Sequence, residues 1–286
     1  MKVMNTISTI EMPHTVTMNA EDQTVIIFDW DDTICPSSFV DQCKIDTYRD
    51  LPLHYQNLFK EISRCAEKCL EAASKFGEVL IITNSDDGWV RYSAEKYIPH
   101  ILPILDKYRI VSARTRYESY YPNQPLCWKA AAFAHEVNEV YSYCAKAASA
   151  NVSMDSIDVD DKVSTVSDGS FDTALTSMSE DSLMGGEGQQ QRQVISFGDS
   201  MEERTSVKIV ATQLNATAKS VMFLQSPSPA QIIGELVMLT SSMTYLCTQK
   251  QDLDLEIGRG QAEKTCERYL NARNGSAVRI QQGKKA

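Results

Sequence analysis

The sequence predicts an α/β protein built on a five-stranded parallel sheet with helices on both faces. Three observations carry that expectation. Five short apolar runs, rich in β-branched residues, read as strands buried on both faces. Segments of helical periodicity separate them, the pattern of a parallel sheet with crossover helices. Polar residues able to do chemistry follow directly after the first, second and fourth runs, where such sheets place their ligands.

The elements follow in order along the 286 residues. Residues 1–22 are polar and unpatterned and read as a flexible arm. TVIIF (24–28) is the first strand and ends in DWDDT. From Leu53 to about Phe76, Leu58, Ile62, Ala66, Cys69, Leu70 and Ala73 recur at helical spacing, with Gly77 as the stop. EVLIITN (78–84) is the second strand, and Asp86 to Tyr97 reads as a helix closed by Pro99. YRIVSAR (108–114) is the third strand; a Tyr/Pro-rich loop and a helix from about Leu126 to Tyr143 come next. QVISFGD (193–199), a helix to about Leu214, KSVMFL (219–224) and a long helix over 227–246 complete the core. Residues 248–286 read as a polar, partly helical tail. The expected catalytic domain therefore comprises 23–148 and 194–247.

Residues 149–193 differ in kind. They hold nine serines and nine acidic against two basic residues, and few large apolar side chains. That composition predicts a disordered insertion and supplies most of the net charge of −10. It enters the fourth strand from its amino end, on the side away from the strand-end residues. The acidic balance argues against nucleic acid as partner. No apolar run is long enough for a membrane helix, and the first residues lack a secretory pattern. A soluble cytoplasmic protein, with the nucleus open to it, is the expectation. The eight cysteines form no CxxC pair and read as reduced structural thiols. The four histidines share no motif.

Asp29 and Asp31 are one residue apart at the end of a buried strand. Two such anions repel unless a cation or a shared proton compensates. Mg²⁺ does this well, since it takes oxygen ligands and keeps phosphate in its shell. Asp199, arriving from the fourth strand, is the natural third carboxylate. One aspartate can attack phosphorus while another passes a proton to the leaving oxygen. Lys129 supplies positive charge, and Thr83 and Asn84 offer donors to a phosphoryl oxygen. Arg114, beside Arg116 and four tyrosines in the loop 112–125, is a candidate for substrate binding. Asp32 reads as a surface or turn residue, Trp30 as packing.

With these residues in order, the chain resembles the haloacid dehalogenase (HAD)-like hydrolase superfamily over about 24–246. Val25 to Thr33 looks like its strand-plus-DxDxT motif and Val79–Thr83 like its second motif. Lys129 in CWKAAAF looks like its lysine. Gly198-Asp199-Ser200-Met201-Glu202-Glu203 looks like GDxxxD, with Glu replacing the last Asp. The resemblance implies a Rossmannoid fold and a Mg²⁺-dependent phosphatase acting through an aspartyl phosphate. By it, Asp29 is the nucleophile and Asp31 the general acid, then base. Asp31 would also bind the metal through its backbone carbonyl. Asp199 completes the metal site and Glu203 or Glu202 holds metal-bound water, while Thr33 orients the loop. The spaces where this family inserts cap domains are short here, so the site should be open. An open site suggests a large phosphorylated substrate, a phosphoprotein among them. Phosphotransferase or phosphomutase chemistry, or a non-catalytic scaffold for phosphorylated partners, are the alternatives.

Overall fold

The structure is a computed structural model that describes residues 5–6, 23–152 and 191–283. The arm expected over 1–22 and the insertion expected over 149–193 lie mostly outside the described residues. Seven strands are described: β1 (Asn5–Thr6), β2 (Gln23–Phe28), β3 (Glu78–Thr83), β4 (Arg109–Ser112), β5 (Arg192–Gly198), β6 (Thr217–Met222) and β7 (Leu253–Glu256). All pair in parallel, in the order β1-β7-β6-β5-β2-β3-β4. The helices are α1 (Ser37–Gln42), α2 (Leu53–Ala73), α3 (Trp89–Tyr97), α4 (Leu102–Leu105), α5 (Ala113–Tyr117), α6 (Pro125–Val152), α7 (Met201–Gln213), α8 (Pro229–Thr248) and α9 (Arg259–Gly283).

Side-chain alternation along β2 divides the core in two, as the pleat of a strand requires. Ile26 and Phe28 face a cluster with Phe59, Ile62 and Leu70 of α2 and Ile232, Leu236 and Leu239 of α8. Val25 and Ile27 face the other side, against Trp128, Phe133 and Val137 of α6 and Val207 and Val210 of α7. Burial on both faces is why these strands are nearly continuous apolar runs. No helix among the described residues is long and apolar enough to cross a membrane.

The parallel α/β architecture is as expected, but the sheet has six full strands rather than five, with the two-residue β1 added outside them. The extra strand, β7, comes from the stretch read as a polar tail. It pairs with β6 through Val221↔Leu255, and α7 fastens it: Arg204 bonds Asp254 (2.7 Å) and Glu256, and Lys208 bonds Asp254 (2.7 Å). Behind it α9 packs on α8, so closely that a Cβ on Gly234 would meet the Ala262 carbonyl oxygen at 1.9 Å. Two smaller differences concern helices. Residues 113–117 of the expected loop form α5, started by Ser112, whose side chain accepts the Thr115 N–H. Helix α6 continues to Val152, beyond the expected end near Tyr143.

The chain leaves β2 towards β3 on one side, while β5 lies on the other. This reversal opens a crevice at the carboxyl ends of β2 and β5, where α/β sheets bind ligands. Among the described residues the stretch between β2 and α2 holds only α1 and a 3₁₀ turn at Tyr48–Asp50, and that between β4 and α6 only α5.

Candidate active site

The Asp29 N–H donates to the Phe197 carbonyl (2.8 Å), extending the β2–β5 ladder by one residue and setting Asp29 at the crevice. Its carboxylate is buried. Lys129, from the first turns of α6 and only 1% exposed, donates to Asp29 Oδ1 (2.7 Å) and pairs with Glu203 Oε1 (2.7 Å).

Glu203 owes its place to helix capping. Ser200 is the N-cap of α7 and Glu203 its N3 residue, and the two form a capping box. Glu203 Oε2 accepts the Ser200 N–H (3.1 Å) and the Ser200 hydroxyl. The side chain folds back over Gly198, where a Cβ would lie 2.5 Å from Glu203 Cγ, so only glycine leaves it room. Glu202 stays outside this arrangement.

Asp29, Asp199 and Glu203 each bring a carboxylate oxygen within 4.8 Å of the others. Three carboxylates against one ammonium leave a formal charge of −2. Burial pushes the Asp29 carboxyl well above the usual carboxylate range, with Glu203 and Asp31 adding to the rise against Lys129. Burial, then Glu203 and Asp32, push Asp199 up to about 7. Burial opposes the charge on Lys129, but Asp29 and Glu203 outweigh it and hold the ammonium above its ordinary value. Glu203, despite burial, is held low by Lys129 and Ser200. An oxygen-only donor set short of two positive charges fits a hard divalent cation such as Mg²⁺.

The Asp31 carboxylate points elsewhere and is not one of the three. Ser37 Oγ (2.5 Å) and Trp89 Nε1 (2.8 Å) donate to its Oδ1. Ser85 Oγ (2.8 Å) and Thr83 Oγ1 (3.3 Å) donate to its Oδ2. Trp89 is itself fixed, because the indole of Trp30 donates to Ser93 Oγ (2.8 Å) and that hydroxyl donates to the Trp89 carbonyl (2.7 Å). Two of the Asp31 donors, Ser37 and Trp89, also line a cavity of about 410 Å³ with Val40, Ile45 and Tyr97 and the charged Asp41, Lys44 and Asp46.

Of the other sequence candidates, Thr83 is buried beside Asp31, and its hydroxyl accepts the Ser85 N–H (3.0 Å). Asn84 donates to the Pro125 carbonyl (3.3 Å), bracing the start of α6. Arg114 is not brought into the cluster: its guanidinium pairs with Glu118 (3.0 Å) and Asp86 (3.7 Å) over the Trp128 ring. Arg116 is taken by the buried Glu136 (2.6 Å). Thr33 is fully buried, with its hydroxyl unpartnered.

Asp32 is a turn residue as expected but not a surface one. It is buried, has φ of 53°, and accepts the Ser38 N–H (2.9 Å). Glu235, unmarked in the sequence reading, is fully buried on α8, with Asp199 and Asp32 among the charges that act on it. Burial, reinforced by those two acids, pushes it up to about 8 against the opposing Leu224 N–H and Arg259. The available signal was an acid inside the apolar run IIGELVML. All eight cysteines are free thiols.

Comparison with known proteins places no relative beside this chain: no family model, no curated protein and no solved structure matches it.

Proposed function

We propose that the protein is a Mg²⁺-dependent phosphohydrolase of the HAD-like superfamily that cleaves a phosphate monoester through an aspartyl phosphate on Asp29. The observation that carries this reading is the Lys129 ammonium bridging Asp29 and Glu203, with Asp199 alongside, at the carboxyl ends of β2 and β5.

In this reading an Asp29 carboxylate oxygen attacks phosphorus, and the bond from phosphorus to the leaving oxygen breaks. Asp31 gives that oxygen a proton. It then takes one from the water that attacks the aspartyl phosphate, so that phosphate leaves and Asp29 is restored. Lys129 fixes the nucleophile through Oδ1 and offsets charge spread over the transferring group. Thr83 and Ser85 bind Asp31 rather than reacting. Asp29 and Asp199, with Glu203 beside them, would hold the Mg²⁺, which would supply the positive charge that lets an anionic substrate approach anionic oxygens. The cavity beside Ser37 and Trp89 receives the leaving group, and the short elements around the crevice favour a large substrate such as a phosphoprotein.

Asp29→Asn tests the mechanism. It is expected to abolish Mg²⁺-dependent phosphate release from an aryl phosphate while the circular dichroism spectrum is retained; activity surviving the change refutes it. A panel of phosphopeptides, sugar phosphates and nucleotides, with magnesium and with chelator, then assigns the substrate class. Phosphate appearing on an acceptor other than water would make the protein a phosphotransferase.

A further inference from the structure

Glu235 is an acid beside the cluster that the proposed reaction leaves unused. It is fully buried. Its Oε1 accepts the Leu224 N–H at 2.7 Å, while Oε2 is buried without a hydrogen-bond partner. Leu224 lies just past β6, whose end is tied to that of β5 by the Phe223 N–H donating to the Gly198 carbonyl (2.8 Å). The carboxyl group therefore stands over the strand end that presents Asp199. The charged groups that face it are Asp199 from the end of β5, Asp32 from the β2–α1 turn and Arg259 from α9.

An unpartnered buried carboxyl oxygen is costly, and burial beside two further acids adds to that cost. Glu235 Oε2 is thus buried where an acceptor has value only if a donor arrives.

We infer that Glu235 is an outer-sphere carboxylate of the divalent-cation site: as the ion binds at Asp199, Glu235 releases its proton to solvent and its Oε2 then accepts a hydrogen bond from water carried by the ion. Mg²⁺ keeps several of its waters, which act as donors. Glu235 is not one of the three residues whose oxygens close to within 4.8 Å, so it is not placed as a direct ligand. Ligating carboxylates are commonly supported in this way, and such partners tune metal affinity. The inference rests on the metal site of the proposed function.

Glu235→Gln keeps the acceptor for Leu224 and removes the acid. Binding of Mn²⁺ to the full chain, followed by electron paramagnetic resonance and calorimetry, is expected to weaken about 10- to 100-fold in E235Q. The metal-free variant should melt at or above the wild-type temperature, and the rise in melting temperature on adding Mg²⁺ should shrink. Wild-type affinity in a folded E235Q overturns the role of Glu235 and leaves the proposed function standing. A wild-type protein that binds neither ion overturns both. Should E235Q not fold, difference infrared spectroscopy of wild-type protein carrying ¹³C-glutamate decides: Mg²⁺ must shift or remove a buried glutamic-acid band, and an unchanged spectrum refutes the inference.

Discussion

Replacing Lys129 by Met removes the ammonium while keeping most of the apolar stem. What is left behind is a buried Glu203, and Asp29 beside it, facing each other with no cation between them. Breaking a buried pair from one side costs about 3–5 kcal/mol. A second route gives a similar figure. The stranded Glu203 can escape by taking a proton, and protonating a carboxyl of ordinary pKa costs about 4 kcal/mol near pH 7 but only about 1 kcal/mol near pH 5. The sign follows from linkage. In the wild type Glu203 is held below its ordinary value, so its contribution is present at neutral pH and lost on acidification. In K129M burial raises it, so stability present at low pH is lost as pH rises through the raised value. The gap between the two proteins must therefore widen from pH 5 to pH 7.5. Urea denaturation of wild type, K129M, E203Q and the double variant measures this. The double variant should be more stable than K129M alone, because the orphaned charge is gone. A K129M protein as stable as wild type at pH 7.5, or equally weakened at both pH values, refutes the pairing.

Other consequences follow from the same geometry. Gly198→Ala pushes a Cβ into Glu203 and should cost about 1–3 kcal/mol in urea denaturation, with Mg²⁺-dependent turnover falling alongside. Trp89→Phe deletes one of four donors to Asp31; kcat should fall about tenfold with stability changed by about 1 kcal/mol or less, and unchanged kcat would remove Trp89 from the account. Asp199 is raised to about 7, so its contribution to metal-free stability is full below the ordinary carboxylate range and lost as pH rises through that value. Scanning calorimetry should show the metal-free melting temperature falling between pH 6 and pH 8, and Mg²⁺ raising it more at pH 8.

The central strands were legible because burial on both faces leaves nearly unbroken apolar runs, as in TVIIF and VLII. Strand ends then located Asp29, Thr83 and Asp199. β7 was hidden for the converse reason. Its partners Arg204 and Lys208 lie about fifty residues earlier in the chain, and its four residues alternate leucine with acid, so it carries little hydrophobic signal. Of the two expectations for Asp32, turn and surface, the second fails because its burial depends on α1 folding back so that Ser38 meets its carboxylate, a contact that composition does not announce. The pairing of Arg114 was not legible, because it depends on Glu118 one turn along a helix, α5, where the sequence pattern shows a loop.

Between Glu202 and Glu203, which the sequence does not separate, it is Glu203 that the fold brings to Asp29 and Asp199, through a rule of helix ends rather than of catalysis. A serine N-cap calls for an acid at N3, and N3 is Glu203. Once that acid is turned back over Gly198, its second oxygen faces Lys129, and the ammonium is drawn onto Asp29. The position of the Asp29 counter-charge is thus set by a capping box at the end of the neighbouring strand, β5. A Ser200 substitution that loosens the cap should accordingly disturb Asp29, although Ser200 does not touch it; the pH dependence of K129M and of a Ser200→Ala protein should then resemble each other in direction, with the alanine variant the milder.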